Sequence, residues 1–129
     1  MDDMKLKHGV FSWNELMTTD AEGAKQFYGS LFGWEWEEFP MEQDSYWVVK
    51  AQGEGVGGVM KMPPEIQGMP PVWGAYVTVD DVHASAAKAK ELGGEVVEPP
   101  REIPKVGTYC VVKDPQGAYI AMVTYLPME

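Results

Sequence analysis

Apolar and polar positions along the chain change their period several times, and they do so twice in the same order. Phe11 to Met17 reads as a strand. Thr19 is then placed to cap a helix, with Glu22 three residues on in capping-box spacing. Ala21, Ala24, Phe27, Tyr28, Leu31 and Phe32 recur at helical intervals, and Gly33 is a natural stop. Trp34 to Phe39 alternates apolar and acidic residues as a half-buried strand does. Tyr46 to Ala51 predicts a third strand, Gln52 to Gly55 a turn, and Val56 to Met60 a fourth strand. The second half predicts a strand at Val72 to Val79 and a helix at Asp81 to Leu92. Strands follow at Glu95 to Glu98, Thr108 to Lys113 and Ala118 to Tyr125.

The two halves are copies of one plan. Asp20 precedes Gly33 by the same interval that separates Asp80 from Gly93 (33 − 20 and 93 − 80). Trp13 and Trp73 share an offset with Pro40 and Pro100, and YWVVK at Tyr46 to Lys50 returns as YCVVK at Tyr109 to Lys113. A period near sixty residues is that of a duplicated supersecondary unit. The expectation is an α+β fold of two βαβββ units, residues 8–62 and 72–126, forming a curved mixed sheet around a cleft. A proline-rich linker at 63–71 would join them.

Composition narrows the picture. A chain of 129 residues supports one sound core, which argues for a single domain. Its longest apolar stretch, Ala118 to Val123, is far too short to span a bilayer. The N-terminal Met1-Asp2-Asp3-Met4-Lys5 lacks the apolar region of a secretion signal, and a lone Cys110 fits a reducing compartment; both favour the cytoplasm. A formal charge of −10 and a pI near 4.5 repel nucleic acid and anionic membrane surfaces and favour a cationic small molecule.

Three motifs then carry a resemblance. They are Phe27-Tyr28-Gly29-Ser30-Leu31-Phe32-Gly33-Trp34, Val79-Asp80-Asp81 with Leu92-Gly93-Gly94, and Asp114-Pro115-Gln116-Gly117 leading to Ile120. With them the chain resembles the vicinal oxygen chelate superfamily, which includes glyoxalase I, extradiol dioxygenases and the bleomycin and fosfomycin resistance proteins. In metal-dependent members, the resemblance implies, a His or Glu on the first and last strand of each unit holds the ion. The matching positions here are Trp13, Gly74, and about Val59 and Ala121, none of which offers a donor. No metal and no other cofactor is therefore expected. The resemblance also implies a homodimer.

The remaining candidates follow from these positions. Phe11, Trp13, Val59, Trp73, Gly74 and Ala121 are expected to line a small-molecule site, with indole faces suited to a planar or cationic ligand. Glu15 shares strand parity with Phe11 and Trp13 and is a candidate general base; Tyr76 is a second acid–base candidate. His8 and His83 each lack a partner at ligand spacing, and Cys110 reads as a small buried hydrophobe. Three functions remain open: a binding or sequestration protein like the drug-resistance members, a glyoxalase-like lyase, isomerase or hydrolase, or a protein that retains the fold for interaction alone.

Overall fold

The computed structural model describes residues 3–40, 45–62, 70–103 and 106–126. Most of the linker expected at 63–71 lies outside the described residues. The chain packs as two compact units, Trp13–Gly74, and Met1–Ser12 with Ala75–Glu129.

The unit of residues 13–74 is built from β1 (Phe11–Thr18), α1 (Ala21–Phe32), β2 (Glu35–Pro40), β3 (Ser45–Ala51) and β4 (Glu54–Lys61). The strands lie in the order β2-β3-β4-β1. β1 runs parallel to β4, with Glu15 opposite Gly58, and the other neighbours are antiparallel. Strand alternation then sorts the side chains onto two faces. Leu16, Val49 and Val59 form a core, with Ala21, Ala24 and Tyr28 of α1 and with Trp34, Trp36 and Trp47 packed against it. Trp13, Glu15 and Tyr46 fall on the opposite face.

Asp20 caps α1, its carboxylate accepting from the Gly23 amide at 2.9 Å. The cap is thus one residue later than the Thr19 expected from the capping box. Thr18 Oγ1 accepts from the Asp20 amide, so the turn is already satisfied. Gly33 ends the helix in the left-handed region at φ 73°, as its position in the sequence predicted. The apolar arc of α1 is wider than the face that meets the core. Phe27, Leu31 and Phe32 remain 60%, 58% and 56% exposed, and no residue of the helix is fully buried.

The other unit contains a short 3₁₀ helix (Asp3–Leu6), α2 (Val82–Glu91), β6 (Glu95–Ile103), β7 (Gly107–Lys113) and β8 (Tyr119–Tyr125), with β5 (Val72–Thr78) ending in it. Its order, β5-β8-β7-β6, repeats the first plan, and β5 runs parallel to β8 with Tyr76 opposite Ala121. Val79, Val82, Ala86, Cys110 and Val112 form the core under α2. The N-cap is Asp81, which accepts from the His83 and Ala84 amides. The helix pair therefore repeats at 81 − 20, one residue more than the Asp20 and Asp80 spacing suggested. β6 outruns its expected end at Glu98 and continues through Pro99 and Pro100, absorbing them where its register with β7 shifts. The two βαβββ units and the α+β class are thus present. Among the described residues, no helix is long and apolar enough to cross a membrane.

Two substitutions test this packing. Leu16→Ala empties a core position and is expected to cost about 2–5 kcal/mol, whereas Asp20→Ala removes only a cap and costs about 1 kcal/mol. Urea unfolding measures both, with an unchanged denaturant slope for each.

Candidate functional site

A carboxylate on the face of the first unit away from α1 needs explanation. Glu15 is only 4% exposed. Burying an anion is costly unless it is hydrogen-bonded or paired. Here the Tyr46 hydroxyl donates to Glu15 Oε2 at 2.8 Å, and the Trp13 indole Nε1–H donates to that same hydroxyl at 2.8 Å. Strand order makes this reach unusual. Glu15 is on β1 and Tyr46 on β3, with β4 between them. The residue of β4 opposite Glu15 is Gly58, and a Cβ there would collide with the Tyr46 hydroxyl and the ring carbon that bears it. The phenol lies where a side chain from β4 would stand.

This relay can accept a proton at Glu15, or hold a polar group of a ligand beside the Trp13 ring. A donated hydrogen bond favours the ionised carboxylate, while desolvation favours the acid.

The other expected residues are distributed differently. Val59 is fully buried in the core with Leu16 and Val49, so it lines no face. The sequence count was one residue late, since register places Gly58 opposite Glu15. Trp73 leaves the Trp13 face as well: its indole donates to the Tyr28 hydroxyl at 3.1 Å and packs edge-on against Tyr28 and Trp34. An extended aromatic cluster around α1 is a stronger attraction for an indole than an open face. Gly74 lies beside the Glu15 backbone, where a Cβ would come within 3.9 Å of its carbonyl oxygen.

In the second unit, Phe11 is 66% exposed at the start of β1. Ala121 and Tyr76 are buried and opposite one another. The Tyr76 ring lies 6.2 Å from that of Tyr109. Tyr109 itself donates to Glu98 at 2.5 Å, and Glu98 is also 3.5 Å from the half-exposed Arg101 guanidinium. A buried phenol–carboxylate pair therefore occurs in each unit. Sequence reasoning passed over Tyr46, Gly58, Tyr109 and Glu98. The repeated YWVVK and YCVVK pointed to the two tyrosines, which begin the repeat and sit opposite the core in both copies.

Among the described residues, neither the histidines nor the cysteine belongs to a cluster of metal-ligating side chains. His8 Nδ1 accepts from the Asp80 amide at 3.0 Å, and His83 is exposed on α2. Cys110 is fully buried, and burial raises its thiol pKa above the usual 9.0, helped by Glu98 and opposed by Lys90. A thiol so held is a poor nucleophile. Burial likewise raises Tyr125 above 10.0, although its hydrogen bond with Ser12 at 2.8 Å pulls the other way. For a metal, the donor set does not fit. In the first unit Trp13, Gly58 and Gly74 present no ligating side chain and Glu15 already accepts from Tyr46; in the other unit Ala121 offers none either.

Comparison with known proteins gives a consistent picture. The model of the Glyoxalase/Bleomycin resistance protein/Dioxygenase superfamily matches residues 7–122. "Putative glyoxylase CFP32" of Mycobacterium tuberculosis is 38% identical over 121 residues, covering 92% of this chain and 46% of that protein. "Anthracycline biosynthesis protein DnrV" of Streptomyces peucetius is 27% identical over 130 residues, covering 88% and 46%. The chain thus spans about half the length of these curated relatives. Among solved structures, methylmalonyl-CoA epimerase from Mycobacterium tuberculosis superimposes with a TM-score of 0.67 at 17% identity, over 98% of this chain and 94% of that one. A Streptomyces coelicolor methylmalonyl-CoA epimerase in complex with 2-nitronate-propionyl-CoA gives 0.67 at 16%, over 95% and 99%.

Alkaline titration tests the two raised acids. Both keep their protons in the folded state at a pH where the unfolded chain has lost them, so they favour folding below about pH 9 and cease to as pH climbs through their folded values. Stability measured by urea unfolding should fall steadily above pH 9, and less steeply for Cys110→Ala between pH 9 and 10. Equal slopes for the variant and the parent would contradict the assignment.

Proposed function

The chain belongs to the glyoxalase/bleomycin resistance protein/dioxygenase superfamily, and from that membership we propose that it binds an organic small molecule on the Trp13–Glu15–Tyr46 face of its first unit. The observation that carries this reading is the buried Glu15 carboxylate, held by Tyr46 beside an indole. A structural role alone would be served as well by an apolar residue, since buried charge seldom adds net stability. A planar ligand with a cationic group suits these parts. Its ring stacks on Trp13, its charge is drawn by the chain's −10, and the carboxylate fixes its orientation. The likeness to a protein named for anthracycline biosynthesis supports a ligand of polycyclic aromatic type.

A second reading is favoured by the same carboxylate. Glu15 is placed to take a proton from a carbon acid, with Trp13 and Tyr46 ordering the base and no metal taking part. The family resemblance and the epimerase fold support that class of reaction. Solvent deuterium entering the acidic C–H position of methylmalonyl-CoA, and failing to do so with Glu15→Gln, would favour the enzyme.

Assembly as a homodimer completes the proposal. Phe27, Leu31 and Phe32 stand exposed on α1, beside an open depression lined by Gly23, Gln26 and Ser30, and apolar patches of this kind are commonly covered by a partner. Light scattering should report twice 14.4 kDa, and Leu31→Lys should shift it toward the monomer. A parent protein that stays at 14.4 kDa at high concentration would refute the dimer.

Binding is tested by titrating intrinsic tryptophan fluorescence with an amine-bearing anthracycline and with a neutral anthraquinone. The amine should bind more tightly, and Glu15→Gln should weaken it by about 10- to 100-fold, the worth of a hydrogen bond to a charged group. Trp13→Ala should abolish the quenching while unfolding stays cooperative. Equal affinity of parent and Glu15→Gln for every ligand that binds would overturn the assignment of this face.

A further inference from the structure

The internal duplication gives a comparison within one chain. Tyr46 and Tyr109 occupy the same place in the repeat, and so do Gly58 and Ala121 (109 − 46 and 121 − 58 are equal). Register agrees, because Gly58 lies opposite Glu15 and Ala121 opposite Tyr76. Yet the two tyrosines turn to different strands. Tyr46 crosses β4 to reach Glu15 on β1, whereas Tyr109 donates to Glu98 on β6. The residue that differs along the crossing is the small one. At Gly58 the space above β4 is empty of side chain and the phenol fills it, while at Ala121 a methyl group stands there.

We propose that Gly58 and Tyr46 are the positioning residues of the Glu15 site: the missing side chain at Gly58 opens the crossing, and Tyr46 uses it to hold Glu15 ionised and aimed. This rests on Glu15 being the functional carboxylate, and it adds what sets that group's protonation. One repeat thereby presents a proton-accepting carboxylate on its first strand, and the other, with Ala121 and Tyr76 in the matching places, does not.

Among the described contacts of Glu15, the Tyr46 hydroxyl is a donor that can be removed without altering a strand backbone. It reaches Glu15 from β3 across Gly58 of β4, which like Gly74 of β5 carries no side chain. On β1 itself Trp13 acts through Tyr46, its indole donating to the phenol and strengthening the bond that the phenol makes. Farther along the same face Lys50 is paired with Glu37 of β2 at 3.1 Å. Removing the phenol's donation therefore removes stabilisation of the charged form and raises the Glu15 pKa.

The test reads that pKa directly, by carboxyl ¹³C NMR titration of the full chain. Tyr46→Phe keeps the ring and deletes the donor, and is expected to raise the Glu15 pKa by about one unit. Gly58→Ala should raise it by a similar amount with Tyr46 still present, because the ring is displaced. The double variant should go no further than either single one, as expected of residues acting through one contact. Tyr109→Phe, the matched control, should leave Glu15 unmoved. The proposal is overturned if Tyr46→Phe leaves the Glu15 pKa at its parent value, if a folded Gly58→Ala does so, or if the double variant shows the two shifts added. Should Gly58→Ala fail to fold, Tyr46→Phe with its Tyr109→Phe control still decides whether the phenol sets Glu15. A coupled titration in a protein whose ligand affinity ignores Glu15→Gln would support the positioning roles and sink the function assigned to the face.

Discussion

An ionisable carboxylate cannot be left alone inside a protein, and much of the first unit can be understood as the answer to that requirement at Glu15. Its carboxyl group has lost water and regains a donor from Tyr46. The phenol can supply that donor only by lying across a neighbouring strand, which is possible only where that strand has no side chain. Trp13 then has a reason to be where it is, because its indole N–H also needs an acceptor and the phenol oxygen provides one. Four residues on three strands are thus fixed by one buried carboxyl group, and none of them belongs to the core beneath α1.

The same logic explains which parts of the structure were visible in the sequence. Helices and strands follow from periodicity, and the duplicated plan located all but their ends. The Asp20 cap was displaced by a single residue because Thr18 accepts from the Asp20 amide and Asp20 from the Gly23 amide, a division of labour among neighbouring polar residues that the capping-box spacing cannot rank. Glu15 was legible by strand parity. Gly58 and Tyr46 were not, since their meeting depends on the parallel register of β1 and β4, and register is a property of paired strands. Val59 was misplaced for that reason alone. Trp73 was misplaced because an indole at a strand start can turn either way, and the aromatic cluster of Tyr28 and Trp34 decided it.

Duplication usually invites a search for two equivalent sites. Here the repeats agree in backbone, in helix capping by aspartate and in the strand tyrosine, and they part at the side chains that face away from the helices. Glu15 and Gly58 in one become Tyr76 and Ala121 in the other. The second copy still buries a carboxylate, Glu98, but it takes it from β6 and sets it beside Arg101. Each copy has kept a phenol–carboxylate bond while changing the strand that supplies the acid. That is the kind of divergence expected when a scaffold is retained for stability and one half is free to specialise.

The glycines of β4 have one more effect, on motion. A strand interior that carries Gly55, Gly57 and Gly58 has little side-chain packing of its own and is costly to keep extended. It is held by its neighbours on both sides and is buried from Gly57 to Val59, so the least protected amides of this sheet should lie instead on the edge strand β2. The strand that makes room for Tyr46 is accordingly kept extended by β1 and β3, which bond it on either side. A molecule resting on Trp13 and Tyr46 would brace those two neighbours, slowing hydrogen exchange at Gly57 and Gly58, whose atoms it need never touch.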